Sequence, residues 1–123
     1  MFKSTGAEFI KAAKKNPSTI AENVAAAYAA GFPKAALKVF IQGARNLTLP
    51  QLFTCYRAAF QHGGEAAAKT LLEHDFHTYY VAGNVRHIAL MEMAAQEFPD
   101  LAHAVFQNPR NHSCIIDFMA GIV

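Results

Sequence analysis

The residues with ligand-like chemistry cluster at Glu73-His74-Asp75-Phe76-His77. Histidines at i and i+3 on a helix or tight turn reach one metal ion. Zinc would still need a third ligand from a distant position such as His62, His103 or His112. A polar inter-helix turn capped by Asp75 explains the same residues without a metal, so no metal and no cofactor is expected. His87 and His103 lie in apolar helical surroundings and have the pKa range of a general base, but no nucleophile lies near them in sequence. Cys55 with a remote histidine is the best catalytic pair available. The three serines include none in a G-x-S-x-G setting, and no glycine-rich phosphate loop follows a strand. These patterns point away from an enzyme.

What positions such residues is a chain of helices. The composition is 53% hydrophobic and 16% charged over 123 residues, enough apolar surface for one packed domain and too much for disorder. Three segments have the form T-x-x-E/Q, in which a hydroxyl and a side-chain acceptor each satisfy a backbone donor at a helix start. They are Thr5–Glu8, Thr19–Glu22 and Thr48–Gln51. Gly31-Phe32-Pro33 divides two alanine-rich halves, Gly31 suiting a left-handed C′ position and Pro33 the first position of the next helix.

Helices are therefore expected from Thr5 to Lys15, Thr19 to Ala30, Pro33 to Gln42, Leu49 to Gln61, Glu65 to Glu73, Tyr79 to Gln96 and Phe98 to Gln107, with a further apolar one after Asn111. The inward faces are read as Ile20, Val24, Ala27 and Tyr28; Leu37, Phe40 and Ile41; and Leu52, Phe53, Tyr56, Ala59 and Phe60. The fold class is all-α, with six to seven of these helices arranged as antiparallel hairpins stacked in a short solenoid or compact bundle. One domain spans residues 1–123, with a basic N-terminal helix over 1–16, three hairpins over 18–107 and an apolar C-terminal helix over 112–123.

The hairpin pattern recurs. Ala35–Phe40 precedes Ala66–Leu71 by 31 residues, and that segment precedes Leu101–Phe106 by 35. A period in the thirties built from two helices marks helical-hairpin solenoids. Residues 28–40, YAAGFPKAALKVF, resemble the core of tetratricopeptide and pentatricopeptide repeats, where small residues let paired helices approach and a late aromatic fills the groove. The resemblance implies a concave surface that binds a peptide, a protein segment or, for the pentatricopeptide kind, single-stranded RNA. A helical bundle containing three hairpins accounts for the same pattern.

Charge narrows the partner. The net charge is +2, but residues 1–45 carry seven Lys/Arg against two acids and residues 46–123 four against seven. Three irregular units with so small a net charge disfavour RNA as the ligand. The reading is a non-catalytic protein–protein interaction module, an adaptor or an inhibitor that covers a partner protein. Its expected binding residues are Tyr79, Tyr80 and Arg86, with Ile115, Phe118 and Met119 of the apolar terminus, through which a homodimer is also expected. The alternative is nucleic-acid or acidic-membrane binding through Lys11, Lys14, Lys15, Lys34 and Lys38; a metal-dependent enzyme is the third reading. Cys55 and Cys114 have no metal-site spacing and read as reduced, buried thiols. No secretory signal or membrane span is visible, so a cytoplasmic, reducing location is expected, with leaderless export left open.

Overall fold

The computed structural model describes residues 6–79 and 85–107, with side chains at all of these except 76–79, 85, 87 and 106–107. Six α-helices make up this part of the chain: α1 (Ala7–Lys15), α2 (Ile20–Ala29), α3 (Pro33–Gly43), α4 (Leu49–Tyr79), α5 (Val85–Glu97) and α6 (Pro99–Gln107). Short 3₁₀ turns at Pro17–Thr19 and Ala44–Asn46 join α1 to α2 and follow α3. There is no strand among the described residues, so the fold is all-α. Contacts divide the chain into two compact units, Met1–Leu71 and Leu72–Val123.

Within the first unit, α2 and α3 form a hairpin whose turn is written in three residues. The Gly31 N–H donates to the Tyr28 carbonyl at 3.1 Å and the Phe32 N–H to the Ala27 carbonyl at 2.9 Å. This pair of bonds is the Schellman ending, and it requires the φ of +88° that Gly31 supplies. Phe32 then acts as N-cap of α3, its carbonyl accepting from the Ala36 N–H at 3.0 Å, and Pro33 takes the first helical position. A single residue thus closes one helix and opens the next.

α1 packs against both α2 and α3. Its first helical residue is Ala7, with Gly6 at φ +85° as the N-cap and no side-chain cap bond, while Thr5 lies outside the described residues. A Cβ at Gly6 would run into Ala35 and Phe32, so the missing side chain also lets the two elements meet. Phe9 and Phe32 lie with ring centroids 6.2 Å apart across this contact. The core of the unit is Val24, Ala27 and Tyr28 from α2, Ala36, Val39 and Phe40 from α3, and Leu52, Phe53, Tyr56 and Ala59 from α4, all buried. Phe53 meets Tyr56 edge-on at 5.0 Å, and Phe40 lies 6.2 Å from Tyr56 at a tilt.

Three residues expected in this core, Leu37, Ile41 and Phe60, point elsewhere, with Leu37 half-buried. Ile41 is 50% exposed and Phe60 46%. The reason is angular: Phe40 and Ile41, like Ala59 and Phe60, are neighbours about 100° apart on a helix, and once one member of each pair faces inward the other is turned away.

α4 keeps the break expected at His62-Gly63-Gly64 and departs from the expected layout only beyond it. The segment His62-Gly63-Gly64 makes a kink, with Gly64 at φ 80° and ψ −176°. Beyond it the helix runs on to Tyr79, so the polar turn expected at His74–Thr78 is helical. Asp75 does not cap a turn; it is fully buried. In the second unit α5 packs on α6, burying Leu90, Met91 and Ala94 against Leu101, Ala102 and Val105. Phe98 alone separates the two helices, its N–H donating back to Ala94 and its carbonyl accepting from Ala102, both at 2.8 Å. The apolar C-terminal segment lies outside the described residues.

Candidate functional site

The most distinctive surface of the first unit is the outer face of α3. Its buried residues, Ala35, Ala36, Val39, Phe40 and Gly43, fill one side of the helix. The opposite side carries Lys34, Leu37, Lys38 and Ile41, spaced i, i+3, i+4, i+7. That spacing normally marks a face that faces protein. Here it lines an open groove of about 340 Å³ together with Gln42. Lys34, Lys38 and Ile41 are exposed and Leu37 is half-buried, so the groove has an apolar floor with two ammonium groups on its rim. α3 contains no acidic residue.

Gln42 also belongs to a second groove, of about 210 Å³, between the end of α1 and α3. Lys14 lines it beside Val39, Gly43 and Asn46. Gly43 is needed there, since a Cβ at this position would overlap the Ile20 side chain. Lys15, one residue on, turns into a different groove between α1 and α2, where it is accompanied by Glu22 and Asn23. Of the five lysines expected to form one basic patch, Lys34 and Lys38 share a groove, Lys14 adjoins them through Gln42, and Lys15 is directed elsewhere. All five, Lys11 included, are exposed.

A fourth groove, about 420 Å³, runs between α2 and α4. Ala25, Ala26 and Ala29 form one wall, and Thr54, Arg57, Ala58, Gln61 and His62 the other. The small side chains of α2 keep it open.

The histidine cluster takes a different form from the metal site considered above. His74 is half-buried, with Nδ1 3.5 Å from Oδ1 of the fully buried Asp75. Burial raises the Asp75 pKa to about 8, and the nearby Arg86 guanidinium opposes that rise. Among the described residues no group of three His, Cys, Asp or Glu side chains is placed to hold a metal ion. His62 and His103 are exposed. The thiol of Cys55 is fully buried, near the Tyr28 phenol, whose pKa is pushed up to about 12 first by burial and then by Cys55.

Of the expected partner-binding residues, Arg86 is half-buried on α5 beside Asp75. Tyr79 is the last described residue of α4, and its side chain lies outside the description, as do Tyr80, Ile115, Phe118 and Met119. The α3 stripe is hidden in the sequence because Leu37, Phe40 and Ile41 are all apolar and only packing separates the inward one from the other two. The signal that finds it is a second helical stripe opposite the alanine-rich one. No helix among the described residues is long and apolar enough to cross a membrane. Neither protein-family models, nor curated proteins, nor solved structures provide a match to this chain.

Proposed function

We propose that the protein is a non-catalytic binding module that recognises another protein, as an adaptor or as an inhibitor covering its partner. The observation that carries this reading is Ile41, half-exposed on a stripe with Leu37 and lining the α3 groove. A large aliphatic side chain held in water over a rigid helix gains free energy when a partner covers it, roughly 25 cal/mol for each Å² removed from solvent. The helical-hairpin likeness of residues 28–40 to tetratricopeptide repeats supports the same class of function, since such scaffolds present their surfaces to peptides and protein segments.

The experiment is a comparison of proteins retained from the native cell by the intact chain and by its Ile41→Asp variant, with equal folding checked by circular dichroism. A discrete protein retained by the first and lost by the second supports the reading. Equal retention removes α3 as the binding face. Salt separates this reading from polyanion binding through the lysines: an apolar interface responds weakly to salt, whereas binding to phosphates weakens steeply.

A further inference from the structure

Resting on that protein-binding reading, we infer that the outer face of α3 seats one acidic amphipathic helix of the partner. The partner's apolar stripe would lie on Leu37 and Ile41, and its carboxylates would lie against Lys34 and Lys38. Three features of the site lead to this occupant.

The first is period. Leu37 and Ile41 form one row at i, i+4, and Lys34 and Lys38 form a parallel row at the same interval. A helix laid along α3 repeats side chains at the matching rise of about 6 Å per four residues, so apolar and charged rows stay in register over the length of the contact.

The second is backbone satisfaction. An extended peptide turns part of its N–H and C=O groups toward an apolar floor, and no strand among the described residues offers a sheet edge to take those groups up. A helix satisfies those groups internally and can bury its apolar face without that loss.

The third is charge. The segment from residue 1 to 45 carries only two acids, Glu8 and Glu22, and neither lines the α3 groove. Glu22 instead sits in the α1–α2 groove with Lys15. None of the groove's lining residues is acidic, so the α3 rim is cationic and an acidic partner is the one it steers inward. A bilayer surface would bury little, because only two apolar side chains line the groove and interfacial binding scales with apolar area. A nucleic acid would leave Ile41 without an apolar counterpart.

The test uses stapled peptide probes and the intact protein, read by fluorescence anisotropy. One probe is an amphipathic helix with Leu at i, i+3, i+4 and i+7 and Glu on the flanking rows. The second replaces every Glu by Lys, and the third has the first composition in scrambled order. The acidic helix is expected to bind roughly tenfold or more tightly than either control. Ile41→Glu and the double variant K34E/K38E should each weaken it by roughly tenfold, and K34E/K38E should reverse the preference between the Glu and Lys probes. Gln61→Glu, on the α2–α4 groove, should leave binding unchanged.

Equal binding of the acidic and scrambled probes, or indifference to K34E/K38E, overturns the inference. So does tighter, salt-sensitive binding to phosphatidylserine vesicles or to a short single-stranded DNA that K34E/K38E abolishes. If the probes fail while the cellular partner is still lost with Ile41→Asp, the acidic-helix claim falls and the binding-module reading stands. If partner retention is also indifferent to Ile41, both fall.

Discussion

Thr48 and Gln51 exchange hydrogen bonds across the first turn of α4. The Thr48 N–H donates to Gln51 Oε1 at 2.9 Å, and the Gln51 N–H donates to Thr48 Oγ1 at 3.3 Å. This reciprocal pair is a capping box; Thr5, of the segment before α1, lies outside the described residues. At Thr19 the hydroxyl donates instead to the Asn16 carbonyl at 2.7 Å and accepts from the Asn23 amide at 2.9 Å, so no cap bond reaches α2.

Disrupting the two segments should therefore have different local consequences. Thr48→Ala is expected to cost about 1 kcal/mol and to raise amide exchange in the first turn of α4. Glu22→Ala, which would break a box at Thr19 if one existed, should change stability by no more than about 0.5 kcal/mol. Denaturant titration of both variants checks the contrast. Equal losses would mean that α2 is capped as α4 is.

Gly31 and Gly64 have positive φ, and a Cβ at either would meet nothing within 4 Å. Substitution there tests backbone conformation with packing held apart. Gly31→Ala should cost about 1–2 kcal/mol, the penalty of a left-handed L-residue. Gly64→Ala should cost at least as much, roughly 1–3 kcal/mol, because φ 80° with ψ −176° is a region that only glycine enters easily. D-alanine at position 64 has the mirror preference and should restore or raise stability. A neutral Gly64→Ala would show that the kink relaxes at little cost.

The parts of the fold that were legible in the sequence are those decided within a few residues. Gly31-Phe32-Pro33 ends one helix and begins another through backbone bonds and two fixed φ values, and Thr48-Gln51 needs only each other. Where a third residue competes, the local signal fails, as Asn16 and Asn23 show at Thr19. Register within a helix is a tertiary matter: Phe40 and Ile41 are equally apolar, and contact with Tyr56 decides which turns inward. The same holds at His74–Thr78, where a polar composition suggested a turn but the helix continues with Asp75 buried near Arg86. The candidate site was half legible. Lys34 and Lys38 were read as surface cations, but their apolar companions were given to the core.

Phe53 and Phe60, on the same stretch of α4, offer a direct measure of that register. Phe53 is fully buried and meets Tyr56 edge-on, whereas Phe60 keeps nearly half its surface in water. Phe53→Ala should cost about 3–5 kcal/mol by leaving a cavity. Phe60→Ala should cost about 1 kcal/mol or less. Urea unfolding of the pair decides the matter, and a larger loss at Phe60 would reverse the assigned faces.

Asp75 should make stability depend on pH in the direction opposite to an ordinary salt-bridged carboxylate. Burial raises its pKa from 3.8 to about 8, with Arg86 opposing the rise, so the folded protein holds a proton that the unfolded chain has released across this interval. Unfolding then releases that proton, and stability falls as pH rises, by at most about 1.4 kcal/mol per pH unit. The contribution is fully present below the unfolded value near 4 and is lost progressively as pH rises through about 8. Asp75→Asn keeps the shape and neutrality of the protonated acid. It should flatten this dependence and leave the protein more stable than the parent at pH 8. Carbon NMR of the Asp75 carboxyl gives the proton balance directly. A midpoint near 4, or a variant with an unchanged pH profile, would mean that Asp75 is ionised in the fold and that Arg86 outweighs burial.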